Sequence, residues 1–141
     1  MNSNLKSIRN HYVIAFFFVF VSLVFSNSIK AQGQQKEAKI VFEKTSFNYG
    51  TISAGEGGEA VFKFKNEGST PLVISNVVSS CGCTKPKWNN QPIEAGKQGE
   101  IRVTYNTNII GDIKRSVTVT TNDKDKNRIV LVLTGKVVKA K

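Results

Sequence analysis

The sequence predicts an all-β chain, a single antiparallel β-sandwich of about seven strands preceded by a signal peptide. Three observations carry the expectation. Apolar residues recur at every second position through a series of short segments. Turn chemistry built from Gly, Pro, Asn and Asp separates those segments. No window repeats its apolar residues at the helical period of about 3.6.

The elements follow in chain order. Lys6 and Arg9 stand in a polar N-terminal region, an apolar run extends from Tyr12 to Phe25, and a short polar segment ends at Ala31. As a helix, that run covers roughly 21 Å, short of a hydrocarbon core about 30 Å thick. Residues 1–31 therefore read as a signal peptide cut after Ala31, with cleavage after Ser28 or retention as an anchor as the alternatives. Residues 32–38 are polar and aperiodic, a flexible leader to a domain spanning 39–141.

Within that domain Ile40 and Phe42 alternate with Val41 and Glu43, and Phe47, Tyr49 and Gly50 follow. Ala60, Phe62 and Phe64 face one way while Lys63 and Lys65 face the other. A turn at 66–72 leads into the apolar run LVISNVV at 72–78, and Ile101, Val103 and Tyr105 alternate with Arg102 and Thr104. A last pair of strands, SVTVTT at 116–121 and IVLVLTGKVV from Ile129, flanks a polar turn at 122–127. The run Ile129–Leu133 is apolar at nearly every position, as in a strand buried on both faces or one whose outer face meets something. This pattern points to an immunoglobulin-like sandwich without the antibody hallmark: Cys81 and Cys83 are too close in sequence to bridge two sheets, and Trp88 follows them.

The formal net charge is +10; without Lys6, Arg9 and Lys30, 17 basic and 10 acidic residues leave +7. The lysines are scattered and no basic cluster is interleaved with aromatics, so the charge reads as solvated surface and not as a nucleic-acid face. Affinity for anionic envelope polymers is the lesser alternative. No second apolar span follows, so no stable membrane span is expected after cleavage, and the product is exported to the periplasm, envelope or exterior.

The order FNYGTI from Phe47, FKFKNEGSTPLVI from Phe62, SCGCT from Ser80, Trp88, PIEAG from Pro92, IRVTYNT from Ile101, VTVTTND from Val117 and LVLTG from Leu131 resembles the bacterial family called domain of unknown function 1573. That family is similar in turn to PapD-like and abnormal-spindle/hydrocephalus immunoglobulin-like sandwiches. The resemblance covers roughly residues 40–138 and is most specific at SCGCT. It implies an envelope-facing sandwich of unassigned role and supplies no catalytic residues, only the matching motif positions Cys81, Gly82, Cys83 and Thr84.

Four readings of the cysteine pair compete: a local bridge or buried pair, reversible thiol chemistry, metal binding, and linkage between chains. In an extended strand the two Cα atoms stand about 6.6 Å apart, near the upper limit for a disulfide, so a bridge needs a bend that Gly82 can supply. A three-residue loop stabilises by only about 1.6 kcal/mol on the chain-entropy formula, which makes the pair a poor staple. Lys85 and Lys87 lie close in sequence and favour a thiolate, or simply solvate a loop. Trp88 either stacks a ligand or packs beneath that loop. The candidate site is thus Cys81 and Cys83 with a supporting loop of Gly82, Thr84, Lys85 and Trp88.

Other chemistries lack their residues. His11, the only histidine, lies in the signal, so neither a Ser-His-Asp nor a Cys-His arrangement is available to the mature chain, and a zinc site lacks ligands. Neither a metal nor another cofactor is expected. The run from Asp123 to Asn127 starts like a calcium loop but has Arg128 where glycine is needed and Thr134 where glutamate is needed, leaving a hairpin turn. The glycines at 55–58 lack the Lys-Ser/Thr of a phosphate loop, and Glu94, Glu100 and Asp112 read as solvated. Two functions remain: an exported non-enzymatic binding or structural module taking a protein partner by strand addition at a sheet edge, or an exported thiol-disulfide exchange protein using Cys81 and Cys83. Nothing in the sequence fixes an oligomeric state.

Overall fold

The computed structural model describes residues 37–140, and the segment read as a signal peptide and most of the segment read as a leader lie outside them. The alternating segments become strands: β1 Ile40–Phe42, β2 Ser46–Ser53, β3 Glu59–Asn66, β4 Ile74–Ser79, β5 Thr84–Trp88, β6 Gln98–Tyr105, β7 Gly111–Thr121 and β8 Arg128–Val138. They form two four-stranded sheets, in the orders β1-β3-β6-β5 and β2-β8-β7-β4. Among the described residues there is no helix long and apolar enough to cross a membrane.

The inward faces follow the period-two reading. Ala60, Phe62 and Phe64 on β3 and Ile101, Val103 and Tyr105 on β6 pack against Ile113, Val117 and Val119 on β7 and Leu131, Leu133 and Val137 on β8. Burying each large side chain stabilises the fold by roughly 1.5–3 kcal/mol. Phe47 on β2 meets Phe62 of the other sheet edge-on, with centroids 6.5 Å apart, and Tyr49 at 4.9 Å. Such pairs add about 0.5–1.5 kcal/mol beyond area. The Tyr49 hydroxyl donates to Gly58 O at 2.9 Å, and burial, reinforced by the Glu59 charge and by Tyr105, pushes its pKa up to about 12.

Four expectations are corrected. The sandwich has eight strands, because residues 84–88, expected in a loop, form β5. Pro86 hides this strand in the sequence, yet β5 is an edge strand, where a missing N–H facing outward costs nothing. Second, the sheets are not wholly antiparallel: β2 runs parallel to β8. The chain changes sheet within 43–45, where Glu43 N still donates to Lys63 O while Thr45 O already accepts from Val132 N, so the first strand splits and its second half lies beside the last.

Third, of the two readings of the run at β8, burial on both faces is excluded. Leu131 and Leu133 point inward, while Val130 and Val132 are 48% and 39% exposed. Fourth, the packed body includes the end of the segment read as leader: Ala38 is buried and Glu37 O accepts from Ser69 N.

Two buried polar side chains hold the loops. Asn66 Oδ1 accepts from Lys39 N and Gly68 N, and its Nδ2 donates to Thr70 O and Ile93 O, which ties the β3–β4 turn to the loop before β6. Asp123 Oδ2 accepts from Ile40 N at 2.9 Å and Oδ1 from Asp125 N and Lys126 N, pinning β1 to the β7–β8 turn. The calcium-like run is therefore a hairpin turn closed on its own carboxylate.

Candidate functional site

The chain passes from the second sheet to the first between β4 and β5, and the cysteines sit at that crossing. Thr84 N donates to Cys81 O at 3.3 Å, so residues 81–84 form a β-turn. The turn draws the two Cα atoms to 5.2 Å, well inside the range for a bridge, and Cys81 and Cys83 are joined as a disulfide. Gly82 is exposed, its φ is not positive, and a Cβ there would meet open space. The bend thus comes from the turn and does not require glycine's extra freedom.

Both flanks of the turn are anchored. Ser79 Oγ donates to Cys81 O at 2.8 Å, Ser80 N donates to Ser116 O, and Ser116 N donates to Ser80 Oγ, fixing the entrance against β7. At the exit Asn106 N donates to Cys83 O at 2.8 Å. The Thr84 side chain is buried, its hydroxyl 3.5 Å from Cys81 Sγ and 3.7 Å from Cys83 Sγ. A groove of about 320 Å3 opens beside the bridge, lined by Gly82, Cys83, Lys85, Thr104, Tyr105 and Asn106.

One residue absent from the sequence reading joins the site. Arg115 Nε donates to Cys83 Sγ at 3.3 Å, and its guanidinium also reaches Lys114 O. Arg115 lies on β7 in register with Ile113, Val117 and Val119, the inward face, at the end of the core where the disulfide turn crosses. The signal was present: reading the SVTVTT alternation two residues backwards places an arginine in an apolar column. Lys85 and Lys87, by contrast, are exposed on the outer face of β5. Trp88 lies four residues along β5 from Thr84, about 13 Å at the rise of a strand, opposite Ile101. It packs on the core and not beneath the cysteine turn. Its buried Nε1 has no hydrogen-bond partner.

The outer face of the second sheet is mostly polar, with Asp112, Lys114, Arg128 and Lys136, but it carries a small patch of exposed valines, Val78, Val130 and Val132. Val78 on β4 faces Thr118 on β7, which faces Val130 on β8, so one β-branched row crosses three strands. Val78 is 53% exposed. A groove of about 420 Å3 lined by Asn76, Val78, Thr118, Thr120, Asn127 and Arg128 runs beside this row. The outer face of the first sheet is instead basic. Lys63, Lys65, Lys85 and Lys87, scattered in sequence, are gathered there by the topology, with Arg102 paired to Glu59 and Glu100.

The four sheet edges differ. β1 has three residues, β5 carries Pro86 with Lys85 and Lys87, and β2 has an irregularity between Asn48 and Thr51. Each is a device that blunts an edge against pairing. β4, ISNVVS, shares an irregularity of this kind near its start, between Ile74 and Asn76, but carries no proline and no charge, and its regular part Asn76–Ser79 leads directly into Ser80 and the disulfide turn. Glu94, Glu100 and Asp112 are exposed, and among the described residues no three His, Cys, Asp or Glu side chains cluster as metal ligands.

The model of a family described as "Protein of unknown function (DUF1573)" matches residues 40–137. No curated protein matches in sequence. Among solved structures, the chain is similar to a protein of unknown function from Porphyromonas gingivalis W83, with a TM-score of 0.66 and 15% identity over 77% of this chain and 51% of that one. The chain thus spans about half the length of that protein. It is also similar to the PapD-like domain 7 of human CEP192, with a TM-score of 0.62 and 14% identity over 83% of this chain and 97% of that one. A third likeness is to the CsuC–CsuE chaperone–tip adhesion subunit pre-assembly complex of Acinetobacter baumannii, with a TM-score of 0.53 and 15% identity over 71% of this chain and 57% of that one. At these identities the likeness is one of fold.

Proposed function

The chain belongs to the DUF1573 family, and we propose that it is an exported, non-enzymatic binding module of the bacterial envelope that accepts an extended polypeptide segment along β4. The observation that carries this reading is the edge itself. β4 is the outermost strand of its sheet, it carries neither proline nor charge, beyond an irregularity at Ile74–Asn76 it pairs regularly with β7 from Asn76 to Ser79, and its exposed Val78 continues into the row Thr118–Val130. An added strand gains backbone hydrogen bonds from β4, and a side chain beside Val78 gains an exposed apolar neighbour. The fold likeness to a pilus chaperone in complex with a subunit supports a binding role.

The test is peptide display against the purified domain, followed by hydrogen exchange on the best binder. Protection confined to the amides of Ile74–Ser79 and the face behind them is the expected result. Protection at β5 or β1 with β4 unchanged contradicts it.

The Arg115–Cys83 contact favours a second reading, an exported thiol-disulfide exchange protein. A cation within hydrogen-bond reach of one sulfur stabilises the thiolate released when the bridge opens, which a purely structural bridge does not need. Alkylation of the protein across a series of glutathione buffers measures this: a bridge that opens within the envelope's range of potentials supports exchange, and one that stays closed throughout rejects it.

A further inference from the structure

The disulfide has two unlike ends, and the difference assigns a direction to its chemistry. Cys83 packs against the core, its sulfur accepts from Arg115 Nε, and its carbonyl is held by Asn106. Cys81 Sγ has only the Thr84 hydroxyl as a polar neighbour and stands just past the end of the uncharged, proline-free β4 edge. Resting on the exchange reading, we propose that Cys81 is the sulfur attacked by an incoming thiol, that Cys83 is the leaving and retained thiolate, and that Arg115 is the positioning residue that holds it.

An incoming thiolate attacks Cys81 Sγ, the Cys81–Cys83 bond breaks, and its electron pair departs on Cys83 Sγ beside the guanidinium. A mixed disulfide between Cys81 and the incoming sulfur results. A second thiol then attacks the incoming sulfur and displaces Cys81. Two thiols have become one disulfide, and the protein has become a dithiol carrying their two protons. The oxidant is the protein's own bridge, and the reductant is any pair of thiols. Leaving groups that are better stabilised as thiolates leave faster, which fixes the polarity.

The thiol belongs to a polypeptide and not to a small metabolite. Ile109 and Ile110 are 42% and 54% exposed in the loop between β6 and β7. Both sides of that loop reach Cys83, through Asn106 and through Arg115. With β4 on the opposite approach, an extended chain has an apolar lip and a backbone rail beside the bridge, which glutathione does not use.

The experiment equilibrates wild-type protein with glutathione, quenches in acid, alkylates, and fragments the 81–83 peptide by mass spectrometry. The expected adduct is glutathione on Cys81 with Cys83 alkylated. Arg115→Met is expected to shift the equilibrium about tenfold toward the disulfide, about 30 mV for a two-electron couple, while Arg115→Lys restores most of the shift. A melting curve on each variant confirms that it is folded. In the second arm, reduction by a short peptide with cysteine between valines is compared with reduction by glutathione. Ile109→Ser/Ile110→Ser is expected to slow the peptide several-fold and leave glutathione unchanged.

The adduct on Cys83, or an Arg115→Met equilibrium equal to wild type, overturns the polarity while exchange itself stands. Equal slowing of both reductants, or of neither, overturns the polypeptide assignment. A bridge inert to every buffer overturns both this proposal and the exchange reading.

Discussion

Replacing Asp123 by alanine removes one carboxylate that holds three backbone N–H groups, and the structure sets the size of the loss. Ile40 N is buried and has no route to water, so its lost charged hydrogen bond costs roughly 2 kcal/mol. Asp125 and Lys126 are exposed and their N–H groups can turn to solvent, costing together about 1 kcal/mol. The sum, about 3 kcal/mol, corresponds to a fall of roughly 12–24 °C in Tm for a domain of this size.

The carboxylate also titrates. Burial alone raises its pKa, but the N–H groups of Ile40, Lys126 and Asp125, with the Lys126 charge, outweigh that and hold it below the usual carboxylate value. A depressed folded value means that the stabilisation is present in full above the unfolded value of about 3.9 and is lost as pH falls through the folded one. Urea unfolding of wild type and Asp123→Ala at pH 7 and at pH 3 measures both effects: a gap near 3 kcal/mol at neutral pH is expected to narrow in acid. A gap under about 0.5 kcal/mol at pH 7 refutes the pinning of β1, and a gap that widens in acid refutes the sign.

Four further outcomes follow from the geometry. Cys81→Ser/Cys83→Ser is expected to cost no more than about 2 kcal/mol in chemical unfolding, because the closed loop is so short; a loss near 4 kcal/mol makes the bridge a staple after all. Gly82→Ala, at a position with negative φ and open space, is expected to be neutral or stabilising by up to about 1 kcal/mol, with the disulfide intact on thiol titration. Gly68→Ala places a methyl group against the backbone of Glu37 and Lys39 and is expected to lower Tm by several degrees through detachment of the segment before β1; an unchanged Tm contradicts that close approach. Val130→Thr/Val132→Thr, on the outer face, is expected to leave stability within about 0.5 kcal/mol while weakening any peptide that lies across the second sheet, measured by calorimetry.

The period-two strands were legible in the sequence because one face of each meets the core, and the columns Ala60-Phe62-Phe64 and Ile101-Val103-Tyr105 appear in the structure as read. β5 was not, since a proline and two lysines argue against a strand until the edge position that tolerates them is known. The parallel pairing of β2 with β8 depends on a change of sheet over three exposed residues, which leaves no periodic trace. Arg115 escaped because its strand was read as starting at Ser116, although it lies in the same column as Val117. Asn66 and Asp123 have partners as far as 27 and 83 residues away, and polar residues that close long-range contacts look in sequence like those that merely turn the chain. The cysteine pair was legible as chemistry, but which of its sulfurs meets a cation is decided by the crossing of the sheets.

The most direct measurement places a photo-crosslinking amino acid at Val78, and separately at Lys87 on the blunted edge, in cells that express the full chain. An adduct at Val78 that is absent at Lys87, and whose partner peptide maps to an alternating apolar segment, is the expected result. No adduct at Val78, or equal adducts at both positions, contradicts the assignment of β4 as the receiving edge.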